Sequence, residues 1–156
     1  MPMLAYHKLI TTLLGVGYIP VAPGTFGTLA AFLPCVLLSI YGLTIPLHYT
    51  LIIFAISLIM GLLSTEVLIP HWGKDPSKIV IDEFAASVLV IAFVPSNATA
   101  LISACLLFRF FDILKPLGIG YLDKNLSGAW GVMSDDILAA VYTIIIIQVL
   151  MHFQII

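Results

Sequence analysis

Carboxylates recur in three short segments of this sequence, each beside a long apolar run. Asp82 and Glu83 are adjacent, and Asp112 lies among aromatic and aliphatic residues. Asp135 and Asp136 form a second adjacent pair. Neighbouring carboxylates repel one another, and a divalent cation relieves that repulsion; oxygen ligands suit Mg²⁺, which often also binds substrate phosphates. These five carboxylates are therefore candidate magnesium ligands and candidate catalytic residues.

Each acidic segment also has a structural interpretation. The dipole of a following helix would stabilise the first pair, and Arg109, Asp112 and Lys115 could form ion pairs at a spacing of three residues. Ser134 could be the N-cap of a helix whose first turn holds the second pair. Ionisable groups among apolar residues are nevertheless costly and usually functional in a membrane. The repetition of acidic pairs at predicted helix starts favours a site.

A glycine-containing segment, Ala22-Pro23-Gly24-Thr25-Phe26-Gly27-Thr28, could bring backbone amides close to a phosphate group. The alternative is a plain turn in which Thr28 caps the next helix. The segment is not a nucleotide-binding P-loop, because no Gly-Lys followed by Ser or Thr is present. Gly24 and Thr25 are the candidate phosphate contacts of this segment.

Counting residues excludes several phosphatase chemistries. A cysteine phosphatase needs a Cys six residues before an Arg, whereas Cys105 and the sole arginine, Arg109, are four residues apart. A histidine-based lipid phosphatase uses more than one Arg and a Pro-Ser-Gly-His stretch, and an aspartyl-phosphate enzyme uses Asp-x-Asp followed by Thr or Val. Neither pattern is present. Water activated by a metal ion remains.

Composition indicates that lipid is the main solvent of this chain. Apolar residues make up 62% of its 156 residues and charged residues 9%, against roughly 25% charged in a soluble domain. A net charge of -2 argues against nucleic-acid binding, which needs a concentrated basic face. We expect a single membrane-embedded domain over residues 1–156.

Four apolar stretches, residues 29–45, 47–69, 84–111 and 137–156, predict an all-α integral membrane bundle of about five to six helices. Pro95-Ser96-Asn97 breaks the third stretch, because proline disfavours helix in the residue before it and Asn caps the next helix. The first arm of this broken hairpin, about residues 82–94, would be about 20 Å long. Such an arm falls short of a hydrocarbon core of about 30 Å.

Crossing the membrane in that order brings all six basic residues to one face: Lys8, Lys74, Lys78, Arg109, Lys115 and Lys124. Cytoplasmic loops collect Lys and Arg, so this face is predicted to be cytoplasmic and the C-terminus periplasmic. The same topology gathers seven of the eight acids there, with Glu66 one turn inside the second helix. We therefore expect a polar site that faces the cytoplasm.

The ordered set of motifs resembles the phosphatidylglycerophosphatase A family. The matching segments are Gly15-x-Gly17, Pro23-Gly24-Thr25-x-Gly27-x-Leu29-Ala30-Ala31, Asp75-Pro76, Ile79-Val80-Ile81-Asp82-Glu83, Phe108-Arg109-x-x-Asp112-x-x-Lys115-Pro116, Asp123-x-Asn125 and Gly131-x-Met133-x-Asp135-Asp136. The resemblance implies an all-helical enzyme of the bacterial inner membrane that uses Mg²⁺ to hydrolyse phosphatidylglycerophosphate to phosphatidylglycerol. It also implies that the five carboxylates form the acidic site and that Arg109 and Lys115 are their partners.

Two functional hypotheses follow. In a lipid phosphatase, magnesium held by the acids would activate water, while Arg109, Lys115 and Lys124 offset charge on the phosphoryl oxygens and the segment around Gly24 supplies backbone donors. In a small transporter or channel subunit, the acids would form a cation path, which needs ionisable groups through the depth of the membrane. The predicted one-sided distribution of acids favours the enzyme.

Overall fold

A computed structural model describes residues 2–73 and 76–155, apart from the side chains of residues 2, 123 and 124. In this part of the chain all regular structure is helical, which confirms the predicted all-α class. The described residues form seven α-helices, more than the predicted five to six, and the first and sixth of them are short. They are α1 (Pro2–Thr11), α2 (Pro23–Ile40), α3 (Leu47–Trp72), α4 (Ile81–Phe93), α5 (Ala98–Leu114), α6 (Ile119–Asn125) and α7 (Gly128–His152), with a 3₁₀ turn at Val16–Tyr18.

Three of these helices, α2, α3 and α7, are long and apolar enough to cross a membrane. Their outer faces expose large apolar side chains such as Leu37, Ile56 and Ile145. Such faces are stable in lipid and would be costly in water, because apolar surface is driven out of water. Composition and helix length together indicate a membrane protein.

The predicted break near Pro95 is confirmed. The side chain of Asn97 accepts a hydrogen bond from the amide of Ala100 at 2.9 Å and so caps α5. Helix α4 has 13 residues, or about 20 Å at 1.5 Å per residue, which is too short to cross a hydrocarbon core of about 30 Å. α4 and α5 therefore form a hairpin of which the first arm is embedded in the bundle.

Helix α4 is the centre of the bundle and packs against α2, α3 and α7. Ala85, Ala86 and Val90 are fully buried on it. The two alanines keep the side chains on this helix short, so the backbones of neighbouring helices can approach closely, as in other membrane bundles. This packing fixes the start of α4, where the first acidic pair lies, relative to the ends of the surrounding helices.

Two predicted helix starts are wrong, and both helices begin earlier. Helix α2 starts at Pro23, a residue that suits a first helical position because its missing N–H has no acceptor there. The glycine-containing segment is thus the first turns of α2, and Thr28 is buried inside the helix rather than at its N-cap. Helix α7 starts at Gly128, so Ser134 is not its N-cap and Asp135 lies two turns inside. Lys74 and Asp75 lie outside the described residues.

Candidate active site

The five predicted carboxylates line one cavity of about 210 Å³. The first pair comes from the start of α4, Asp112 comes from the end of α5, and the second pair lies about two turns inside α7. Lys115, at the end of α5, lines the same cavity, as do Ser77 and Ile79 from the segment before α4. Residues that are far apart in the sequence therefore meet in one polar space.

Three of these acids are close enough to hold one metal ion. Asp82, Glu83 and Asp136 can each offer a carboxylate oxygen such that all three atoms lie within 4.8 Å of one another. The Oε2 atom of Glu83 is buried and has no hydrogen-bond partner among the described residues. A buried oxygen without a donor is costly, and hard oxygen ligands are those that Mg²⁺ prefers. The donor set therefore fits a magnesium ion.

The first acidic pair is electrostatically unfavourable without a counter-charge. Burial raises the pKa of Asp82 well above its usual value, and the neighbouring charge of Glu83 raises it further. Burial also raises the pKa of Glu83. Both shifts mean that the ionised forms are destabilised where they lie, so a cation bound between the carboxylates would favour ionisation.

Arg109 connects three helices behind the cavity. Its Nη1 atom donates to Oδ2 of Asp112, three residues along α5, as the ion-pair interpretation of this segment predicted. The same atom lies 3.4 Å from Oγ1 of Thr28 and 4.0 Å from Oε1 of Glu83. Arg109 is not one of the described side chains that line the cavity. It therefore orients two of the acids, and the predicted contact with substrate phosphate is not supported by its position.

Lys115, in contrast, faces the cavity directly. It is the C-cap of α5, with a φ of 46° in the left-handed region, and its Nζ atom lies 2.7 Å from Oδ2 of Asp135. The left-handed conformation ends the helix and turns the chain toward α6. A cation at this position offsets the charge of the carboxylates and can also reach an anion in the cavity.

The first turn of α2 contributes by close packing. A Cβ atom at Gly24 would overlap Oε1 of Glu83, so only glycine allows α2 to approach the acidic pair this closely. The amide of Thr25 already donates to the carbonyl of Ala22 at 3.0 Å. The segment is therefore the start of a helix and not a loop, and contact of Gly24 and Thr25 with a phosphate group stays a prediction.

Glu66 has a role that the sequence did not reveal. Its Oε2 atom accepts a hydrogen bond from the amide of Ala129 at 2.8 Å, which satisfies a free donor at the start of α7. Gly128 has a φ of 71°, and a Cβ atom there would lie 2.9 Å from the same oxygen. The sequence grouped Glu66 with the site acids from its position near the end of an apolar helix, whereas the structure shows a helix cap.

Comparison with known proteins agrees with the motif pattern. The family model described as Phosphatidylglycerophosphatase A matches residues 9–151. The chain is 39% identical to phosphatidylglycerophosphatase A of Haemophilus influenzae over 142 residues, which cover 90% of this chain and 85% of the relative. The corresponding protein of Escherichia coli is 30% identical over 140 residues, 88% and 79% of the two chains.

A third relative carries a different name. A Bacteroides thetaiotaomicron protein described as a candidate phosphatidylinositol-3-phosphatase is 39% identical over 147 residues, 90% of this chain and 91% of the relative. No solved structure is significantly similar to the chain. The family match spans most of the sequence and includes every carboxylate of the cavity, so this chain belongs to the phosphatidylglycerophosphatase A family.

Proposed function

We propose that this chain is a magnesium-dependent lipid phosphatase of phospholipid biosynthesis, which hydrolyses phosphatidylglycerophosphate to phosphatidylglycerol and phosphate. The observation that carries the proposal is the cavity in which five carboxylates and Lys115 meet at one end of the apolar helices. The names of the Haemophilus and Escherichia relatives support the same substrate.

In this proposal Asp82, Glu83 and Asp136 hold magnesium, since their oxygens lie close together and one is buried without a donor. Mg²⁺ would lower the pKa of water, which makes the water a better nucleophile. It would also offset the negative charge of the phosphoryl oxygens. Asp112 and Asp135 line the remaining wall of the cavity. They are the nearest candidates to orient water or to complete the ligand set.

The basic residues divide into two roles. Lys115 lines the cavity and offsets negative charge on a phosphoryl oxygen of the substrate. Arg109 acts from behind by holding Asp112 and Glu83 in place. This assignment departs from the sequence prediction, in which both cations contacted phosphate.

We further propose that the protein lies in the bacterial inner membrane with the cavity facing the cytoplasm. Lys8, Lys78 and Lys115 lie near the same ends of the helices as the acids, because Lys8 and Lys78 contact Trp72 at the end of α3 and Lys115 contacts Asp135. Basic residues concentrate on the cytoplasmic side of membrane proteins.

A transporter or channel subunit is the alternative function. Such a protein would need ionisable groups along a path through the membrane. In the described part of the chain the buried carboxylates are Asp82, Asp135 and Asp136, and all three line one cavity. This confinement favours chemistry at one membrane face over passage across it.

The experiment that tests the proposal is phosphate release by purified protein from a lipid panel with Mg²⁺ and with chelator. Phosphatidylglycerophosphate should be turned over only with Mg²⁺. Phosphatidylinositol 3-phosphate belongs in the panel because of the name of the Bacteroides relative. Preferred turnover of that lipid would change the substrate but retain the phosphatase, whereas no release from any lipid would refute the proposed function.

A further inference from the structure

Two lysines from distant parts of the sequence meet on one tryptophan ring beside the acidic cavity. The Nζ atom of Lys8, on α1, lies 5.7 Å from the centroid of the Trp72 ring. The Nζ atom of Lys78, in the segment before α4, lies 5.9 Å from the same centroid and 5.8 Å from that of Tyr18. We call Lys8, Lys78 and Trp72 the lysine–tryptophan cluster.

The cluster places two ammonium groups near one aromatic ring. Among the described residues, the carboxylates in ion pairs contact Arg109 and Lys115, and none contacts Lys8 or Lys78. The aromatic rings provide some attraction for each ammonium group. A bound anion would add a charge-assisted contact to each of them.

The position of Lys78 is fixed next to the cavity. Its neighbours in sequence, Ser77 and Ile79, both line the acidic cavity. A Cβ atom at Gly17 would overlap the carbonyl oxygen of Lys78, and the amide of Val80 donates to the carbonyl of Thr11 at 2.9 Å. The turn after α1 therefore packs tightly on this segment and fixes the backbone of Lys78 between two residues that line the cavity.

We propose that the lysine–tryptophan cluster binds the phosphodiester of the lipid whose terminal phosphate monoester is hydrolysed in the acidic cavity. This inference rests on the proposed function. Phosphatidylglycerophosphate carries both groups on one headgroup, and so does the lipid in the name of the Bacteroides relative. The five carboxylates repel a second anion, so the diester is directed to the neighbouring cations. Lys8 and Lys78 are thus specificity-determining residues.

The test measures steady-state kinetics in neutral detergent micelles, where no anionic bilayer surface is present. The variants are Lys8→Gln, Lys78→Gln and their combination, with Lys78→Arg as the control that keeps the charge. Each single Lys→Gln variant should raise the KM for phosphatidylglycerophosphate about tenfold, and the double variant about 100-fold, because each charge-assisted contact is worth roughly a factor of ten. The inhibition constant of the product phosphatidylglycerol, which retains only the diester, should rise by a similar factor. The kcat should change much less than KM, and Lys78→Arg should raise KM less than Lys78→Gln does, because it keeps the positive charge.

Several outcomes would overturn the inference. An unchanged KM in the double variant would do so, as would a fall in kcat with KM unchanged. Lysines and tryptophans also anchor proteins at membrane surfaces, so the same variants are compared in zwitterionic and anionic vesicles. A defect confined to anionic vesicles would assign the cluster to the bilayer surface instead. Failure of the proposed function is distinct, since the unaltered protein would then release no phosphate from any lipid.

Discussion

Gly24 and Glu83 are in such close contact that a single added methyl group at Gly24 would overlap the glutamate Oε1 atom. The contact joins the first turn of α2 to the first turn of α4. The neighbouring oxygen of the same carboxylate, Oε2, is the buried atom without a described donor. The geometry of the proposed metal site therefore depends on the absence of a side chain in another helix.

Gly24→Ala should lower turnover by about 10- to 100-fold, because displacing a metal ligand by a fraction of an ångström disturbs the reacting geometry. Folding should be affected less, since alanine is a better helix former than glycine. Turnover per folded molecule, with the folded fraction taken from size-exclusion chromatography, measures this effect.

A second substitution separates the steric effect from a general defect. Glu83→Asp shortens the carboxylate and should by itself lower turnover. The double variant with Gly24→Ala should lose less turnover than the product of the two separate losses. The residues are in contact, so their effects on turnover are coupled. Independent, multiplicative losses would argue against a steric origin.

Asp82→Asn, Asp112→Asn and Asp136→Asn should each lower turnover by about two orders of magnitude or more, because each removes charge from a site that neutralises a hard cation or positions water. Shape and volume are nearly retained, so the amount of folded protein in the membrane should stay close to normal. Phosphate release per folded molecule is the measurement.

Glu66→Gln is the matched control for these variants. It also removes a carboxylate charge at the same end of the bundle, but the amide oxygen can still accept the hydrogen bond from Ala129. Turnover should fall much less than in the cavity variants. Equal losses in all four proteins would show that the charge of the whole face, rather than the individual ligands, determines activity.

The sequence predicted those features that depend on neighbouring residues. Pro95 and Asn97 are local signals, and the hairpin break lies where they predicted. The start of α7 was missed because one of its first amides, that of Ala129, donates to Glu66, which is 63 residues away in the sequence. The contact between α2 and Glu83 is equally distant in sequence. The residue types predicted a cluster of acids, and the cavity that these acids line is formed by contacts between helices.

Topology can be tested by labelling single cysteines in a background that lacks Cys35 and Cys105. Ser77 and Asn125 are exposed near the cavity end of the bundle, and Gly42 lies in the turn between α2 and α3 at the other end. If the cavity faces the cytoplasm, membrane-impermeant reagents should reach cysteine at Gly42 in intact spheroplasts and should reach the other two positions only after lysis. Opposite accessibility of Ser77 and Asn125 would contradict a one-faced site.

Magnesium should bind the folded protein directly, and this can be measured without turnover. A ligand that binds only the native state raises its stability with concentration, so Mg²⁺ should raise the Tm of the chelator-treated protein. Asp136→Asn should reduce this shift, because it removes one of three carboxylates whose oxygens lie within 4.8 Å of one another. Glu66→Gln should retain the shift, since Glu66 caps α7 instead of lining the cavity.

Activity should disappear in chelator and return with Mg²⁺ over the same concentration range as the Tm shift. Full activity after exhaustive dialysis against chelator would refute the magnesium site but not the phosphatase activity.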